Sequence, residues 1–347
     1  MQPRKSPSRG ISRRLALLGL GASGLAACTP APAQQETGAP KGWHSGPDLP
    51  FAVQEIYPTL HAGRIHQAGG FIAEGGRITG PTDAHVSFAP ETGLWSEEAS
   101  LPAARHHPHL VSAFGSLLAI GGFEAQSPEA VWVMQATGWR LVEGGWVSLP
   151  TLPRPAAEAV TAVIEGRVHL TSGRCPAGEA NAVWTDQIDS GEHFVLDAPG
   201  GAWSQAAPIP TARNSAAAAM IAANWHVVGG RTVSYGNTAV HEVYDAREDR
   251  WRGAAPMPQG QGGLAAASVD GKLYAFGGEY FSSEGGGVFA QGWVYDPGLD
   301  SWAPIADMPH PRHGLGAVAA DKEIYVIGGA LSFSGRNTSA IVDIYRP

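Results

Sequence analysis

The sequence predicts an all-β protein, a closed propeller of six sheets with four antiparallel strands each. Three observations carry that prediction. First, Trp43, Trp95, Trp146, Trp203, Trp251 and Trp302 are each followed seven residues later by a proline: Pro50, Pro102, Pro153, Pro210, Pro258 and Pro309. Second, nineteen residues after each proline stands a small pair: Gly69-Gly70, Gly121-Gly122, Ser172-Gly173, Gly229-Gly230, Gly277-Gly278 and Gly328-Gly329. The unit W-x6-P-x18-[GS]-G therefore recurs six times without a gap, and a period of about fifty residues marks a repeat architecture. Third, each unit holds four short runs with strand character, the composition of a propeller blade.

The first run is rich in small residues, as in Ala216 to Ala219 or Leu264 to Ala267, which suits an innermost strand where blades crowd at the axis. Turn pairs such as Glu165-Gly166 and Asp270-Gly271 join it to a second, apolar run that ends at the glycine pair (Leu117 to Ile120, Trp225 to Val228, Ile324 to Ile327). Those glycines allow backbone angles closed to most other residues. A third run follows, as in Val86 to Phe88, Val243-Tyr244 and Val342 to Tyr345, often closed by a turn such as Asp296-Pro297-Gly298. The fourth strand opens at the tryptophan and stops near the proline, which cannot donate to a ladder. One bulky aromatic at the same register of every unit reads as packing between neighbouring blades. The last unit ends after its third strand, so its fourth strand is expected from the segment Gly42 to Pro50, leaving no free edges in the ring.

Hydrophobic residues before a Gly-Gly, an aromatic in the third strand and a tryptophan after a turn resemble the kelch repeat. Tyr274-Ala275-Phe276-Gly277-Gly278 and Tyr325-Val326-Ile327-Gly328-Gly329 carry the resemblance most clearly, and it covers residues 42 to 347. Blade 3 departs from it at Ser172, and blade 1 has an atypical run, Arg64-Ile65-His66-Gln67-Ala68. The resemblance implies a six-bladed kelch propeller within the wider galactose-oxidase-like superfamily. Galactose oxidase itself is a seven-bladed kelch ring with a copper site and a Cys–Tyr cross-link; no motif here aligns to that site, and no cofactor or metal is expected. The bacterial periplasmic sialic-acid mutarotases are six-bladed kelch rings, so a mutarotase or epimerase is one activity that the resemblance implies.

Residues 1–28 read as a signal peptide: Arg13-Arg14 precede an apolar run, Leu15 to Ala27, too short to span a bilayer. Leu25-Ala26-Ala27-Cys28 resembles a bacterial lipobox, with Cys28 as the lipidated residue, and Ser12-Arg13-Arg14-Leu15 resembles a twin-arginine export signal. Residues 29–41, rich in Pro, Ala and Gln, read as a flexible tether, and 42–347 as the propeller. The expectation is a periplasmic lipoprotein anchored to a membrane, and a monomer. Loss of residues 1–28 removes five basic and no acidic side chains, taking the net charge from −8 to −13, which argues against a nucleic-acid partner. Cys175 is then the one remaining thiol of the sequence, without a partner for an intramolecular disulfide.

All length variation between units falls between the glycine pair and the next tryptophan, on loops that share one face with the segment before each first strand. Variable loops on a rigid scaffold make that face the candidate binding surface. Ten residues after the tryptophan stand Arg105, Arg213, Gln261 and Arg312; beside them lie Glu55, His106, His107, Glu158, Asn214 and His313, and after the glycines Glu124, Arg174, Arg231 and Glu279. Arginines and carboxylates around a channel mouth suit a sugar, a sugar acid or an acidic peptide. The competing role for the arginines is to hold neighbouring blades together. Glu158 and Arg213 are the candidate catalytic pair, Glu158 as acid or base or else a solvated rim carboxylate. His106-His107-Pro108-His109 has no second cluster to complete a metal shell, and the thirteen histidines of the chain form no spacing signal. The expected partner is a small polar ligand or, alternatively, an envelope protein gripped by the same face.

Overall fold

The computed structural model describes residues 41–347 apart from Gly76 and Tyr235; the expected signal peptide, Cys28 and nearly all of the tether lie outside the described residues. Six four-stranded antiparallel sheets make up the ring. Blade 1 runs outward through Thr59–His61, Arg64–Ala68, His85–Ala89 and Leu94–Glu97, and the next four blades repeat this order. Blade 6 combines Gly316–Ala320, Glu323–Ile327 and Val342–Arg346 with Gly42–Ser45, which pairs Trp43 opposite Tyr345. The expected closure by the N-terminal strand is thus met. The six innermost strands touch one another in cyclic order, blade 6 returning to blade 1.

Each cleft between adjacent blades holds its own apolar cluster. Ile65 and Phe88 of blade 1 meet Tyr325 and Ile327 of blade 6, and Val160 and Ile164 of blade 3 meet Trp225 and Val227 of blade 4. The other four clefts are filled in the same way. The core is therefore a circle of interfaces, and small inner-strand residues let the blades converge on the axis.

Two hydrogen-bond rings repeat in all six units. The indole Nε1–H of every repeat tryptophan donates to a carbonyl of the previous blade, always four residues past that blade's own tryptophan: Trp95 to Pro47, Trp146 to Ala99, Trp203 to Pro150, Trp251 to Ala207, Trp302 to Ala255 and, closing the circle, Trp43 to Ala306, at 2.8–3.0 Å. The N–H of every second glycine donates to the next blade, to the carbonyl ten residues past its tryptophan; Gly70 to Arg105 and Gly329 to Val53 are two of the six. Both residues of each small pair have positive φ. Ser172 fits the first position at φ 64°, within reach of an L-residue, whereas the second position spans 86–105° and is glycine throughout.

The histidines are less scattered than they read in sequence. His66, His169 and His226 all stand twenty-three residues after a tryptophan. Each places Nδ1 2.9 Å from Nε2 of a histidine on the third strand: His85, His193 and His241. The Nδ1 of each outer partner meets the carbonyl of Ala99, Ala207 or Ala255, the same oxygens that receive an indole N–H.

Candidate functional site

The axis is ringed by one residue per blade, each twelve positions past its tryptophan: Glu55, His107, Glu158, Ser215, Gly263 and Gly314. All six have positive φ, between 50° and 70°. Neighbouring members are linked by backbone hydrogen bonds: Glu55 N–H to Gly314, His107 to Glu55, Ser215 to Glu158, Gly263 to Ser215 and Gly314 to Gly263. Left-handed backbone costs an ordinary side chain roughly 1–2 kcal/mol, yet blades 1 to 4 carry Glu, His, Glu and Ser there. The inner hairpin turns carry the same conformation at Ala62, Phe114, Glu165, Ala222, Asp270 and Asp321, so it is the chemistry of the collar side chains, not the backbone, that sets this level apart.

The next layer comes from the residue after each glycine pair: Phe71, Phe123, Arg174, Arg231, Glu279 and Ala330. Short bridges join this layer to the residue just before the collar, as in Ala157 with Arg174, Asn214 with Arg231 and Gly262 with Glu279. Collar and layer enclose a cavity of about 500 Å³ on the loop-rich face. Its lining joins Phe71, Trp132 and Trp184 from blades 1 to 3 with Arg231, Glu279 and His313 from blades 4 to 6, beside Glu55, His107, Glu158 and Arg174 and the apolar Ile78, Val233 and Phe281.

These polar groups are fixed to one another. Arg231 Nη1 lies 2.7 Å from Glu279 Oε1. Ser215 Oγ donates to Glu158, and Arg174 Nε lies 3.3 Å from Glu158 Oε1, close enough for ion pairing but too misaligned for a hydrogen bond. The Arg174 guanidinium lies 3.4 Å from the centroid of the Trp184 ring, a cation–π contact, and its buried Nη1 has no hydrogen-bond partner among the described residues. Glu55 Oε2 sits 2.9 Å from His107 Nε2. Burial alone would raise the Glu55 carboxyl, but His107, with His313 and Arg231 beyond it, holds it down at about 2. Burial also opposes ionisation of Glu158, and Arg174, His107 and Arg231 overcome it, so its carboxyl too lies below the usual range. Burial lowers the His313 imidazole in spite of Glu279 and Glu55. Two ionised carboxylates thus stand on the collar at neutral pH.

Of the expected site residues, Glu158, His107, Arg174, Arg231, Glu279 and His313 line this one cavity. Arg105, Arg213, Gln261 and Arg312 do not. Each is buried and bonds the carbonyl of the first glycine in its own blade, Gly121, Gly229, Gly277 or Gly328. Arg213 and Arg312 also pair with Glu242 and Asp343, both buried, and Arg105 with Glu124. This corrects the reading of Arg213 as a catalytic residue and of Arg105, Arg312 and Gln261 as ligand contacts: the four anchor the backbone of the ring, and Glu124, outside the cavity lining, is paired with Arg105. Asn214 and His106 stand behind the lining. Asn214 donates to Asp189 and accepts from Arg174 Nη2, while His106 stacks on Phe71 at 3.9 Å. His109 is occupied by the Ala159 N–H, and no group of three or more metal-binding side chains is assembled among the described residues. Cys175 is buried, which pushes its thiol up, away from nucleophilic character.

The Kelch motif family matches residues 262–309. Kelch-like protein terF of Aspergillus terreus is 27% identical over 338 residues, covering 92% of this chain and 71% of that protein. Human Kelch-like protein 35 is 35% identical over 243 residues, 70% of this chain and 37% of its own length, so the chain spans little more than a third of that relative. The structure titled "Structure of YjhT" shares the fold with a TM-score of 0.71 at 16% identity, covering 85% of this chain and 95% of that one.

Proposed function

We propose, from the premise that the chain is a kelch-repeat β-propeller, that its axial cavity binds a small polar ligand, a sugar or sugar acid. The observation that carries this reading is that one cavity is lined both by aromatic rings and by fixed hydrogen-bonding groups. A pyranose has apolar C–H faces that pack on rings and an equatorial belt of hydroxyls that needs fixed donors and acceptors; Trp132 and Trp184 suit the first, Glu279 and Arg231 the second. The buried, unpartnered Nη1 of Arg174 suits a ligand carboxylate. Glu158, ionised and held by Ser215, takes the proton of an anomeric hydroxyl in this reading while a water gives one to the ring oxygen as the ring C–O bond breaks, and the reverse on either face interconverts the anomers.

The test is calorimetric titration of the purified propeller with a panel of sugars and sugar acids, alongside Arg174→Ala. Saturable heat that the variant abolishes supports the reading; no heat from any member, or equal binding by the variant, defeats it. Exchange NMR between ligand anomers, with Glu158→Gln as control, decides catalysis separately.

A second reading, an envelope interaction module, is favoured by the exposed apolar side chains around the same mouth: Ile78, Trp184, Val233 and Phe281. Export and anchoring through Cys28 complete the proposal. Incorporation of an alkyne fatty acid that Cys28→Ala abolishes would support anchoring; equal incorporation by the variant would refute it.

A further inference from the structure

Beside the cavity, the Val131 carbonyl, His106, His107 and Glu55 form one hydrogen-bond chain. His106 Nε2 lies 2.9 Å from Val131 O. A carbonyl oxygen only accepts, so this nitrogen carries a proton. His106 Nδ1 lies 2.7 Å from His107 Nδ1, and a single proton sits between two nitrogens at that distance. The His106 ring is stacked between Phe71 and Phe123, at 3.9 and 4.9 Å. Burial there pushes its imidazole well below the ordinary range, so it is neutral. With its one proton on Nε2, His106 accepts at Nδ1, and His107 is the donor. The other His107 nitrogen, Nε2, faces Glu55 Oε2 at 2.9 Å. Two bare acceptors do not meet in this way, so a second proton occupies that contact.

We propose that the Glu55–His107 pair stores a proton in the lining of the cavity at neutral pH, with His107 an imidazolium locked by His106 and Glu55 its counter-ion. The proton belongs to His107 because an imidazole is the stronger base of the two, about 6.5 against about 4.3, and the fixed cation of Arg231 favours an ionised Glu55. The other groups facing the pair are consistent with a cation there. Glu158 attracts it; Arg174 is paired with Glu158 and Arg231 with Glu279; His109 is pushed down to about 3 by burial and by His107; and the Tyr57 ring stands 6.2 Å away. Both His107 nitrogens are spent on protein, so His107 acts on a ligand through Glu55 and is a positioning residue, as is His106. On the reading of this cavity as a sugar-acid site, three cations (His107, Arg174, Arg231) then balance three carboxylates (Glu55, Glu158, Glu279), and an anionic ligand enters without net repulsion.

The experiment is ¹⁵N NMR of the full, ligand-free chain with labelled histidine at pH 7, the His107 signals assigned by their loss in His107→Gln. Two protonated-type nitrogens on His107 and one bare nitrogen on His106 are expected; a bare nitrogen on His107 overturns the proposal. His106→Phe keeps the aromatic stack and removes the acceptor, and a bare Nδ1 on His107 is then expected. A doubly protonated His107 in that variant would overturn the positioning role of His106. If the variant does not fold by circular dichroism, the wild-type spectrum decides alone. No ligand enters the measurement, so its failure leaves sugar binding standing, and absence of sugar binding leaves the proton assignment standing.

Discussion

At the residue scale, two positions two places apart divide the work of the ring. The residue ten past each tryptophan holds the backbone; the residue twelve past it faces the axis. Arg213→Met should leave Glu242 buried without its cation and cost about 3–5 kcal/mol in a urea titration, while ligand affinity per folded molecule stays unchanged. Gly314→Ala should do the reverse. A Cβ there comes 2.9–3.0 Å from the Glu55 carboxylate, so calorimetry should show weakened binding with a modest loss of stability. The repeat made the arginines conspicuous in the sequence and left Glu55, His107 and Glu158 named without the register that joins them, for one reason. Recurrence reports residues that do the same task in every blade, and the task common to all blades is to hold the ring. A ligand is asymmetric, and a site for one is expected where equivalent positions differ, as they do on the collar: Glu, His, Glu, Ser, Gly, Gly. Reading the same phase two residues further on would have exposed it.

At the scale of the element, strand order, closure and the interblade role of tryptophan were all legible, because the period assigns every residue a radial level. The indole hydrogen bond was not, since an aromatic at a fixed register says only that something large is buried. Trp251 both fills the cleft beside Trp225 and donates to Ala207. Trp251→Phe should therefore cost about 0.5–1.5 kcal/mol for the hydrogen bond, and Trp251→Ala about 3–5 kcal/mol for the lost core volume, both read from the urea midpoint. Equal losses for the two would mean that the N–H, not the ring, matters.

At the scale of the whole molecule, the three histidine pairs make the ring sensitive to acid. Burial, reinforced by the neighbouring imidazole, lowers His169 and His226 to about 3 and His66 to about 4; burial likewise lowers His193 and His241 to about 4, and lowers His85. An unfolded histidine titrates near 6.5, so below that pH the unfolded chain binds protons that the folded ring refuses. Stability should be full above pH 6.5 and fall steadily towards pH 4, seen as a falling melting temperature across that range. A flat profile would mean that the pairs are not neutral in the folded state.

The strand Gly42–Ser45 completes the sheet that ends with Val342–Arg346. One partner is thus among the first parts of the propeller to leave the ribosome and the other among the last. Until Val342–Arg346 has been made, the early strand has nothing to dock on, however well the intervening blades have formed. Chains stalled before that point would leave the kind of unpaired strand edge that templates aggregation.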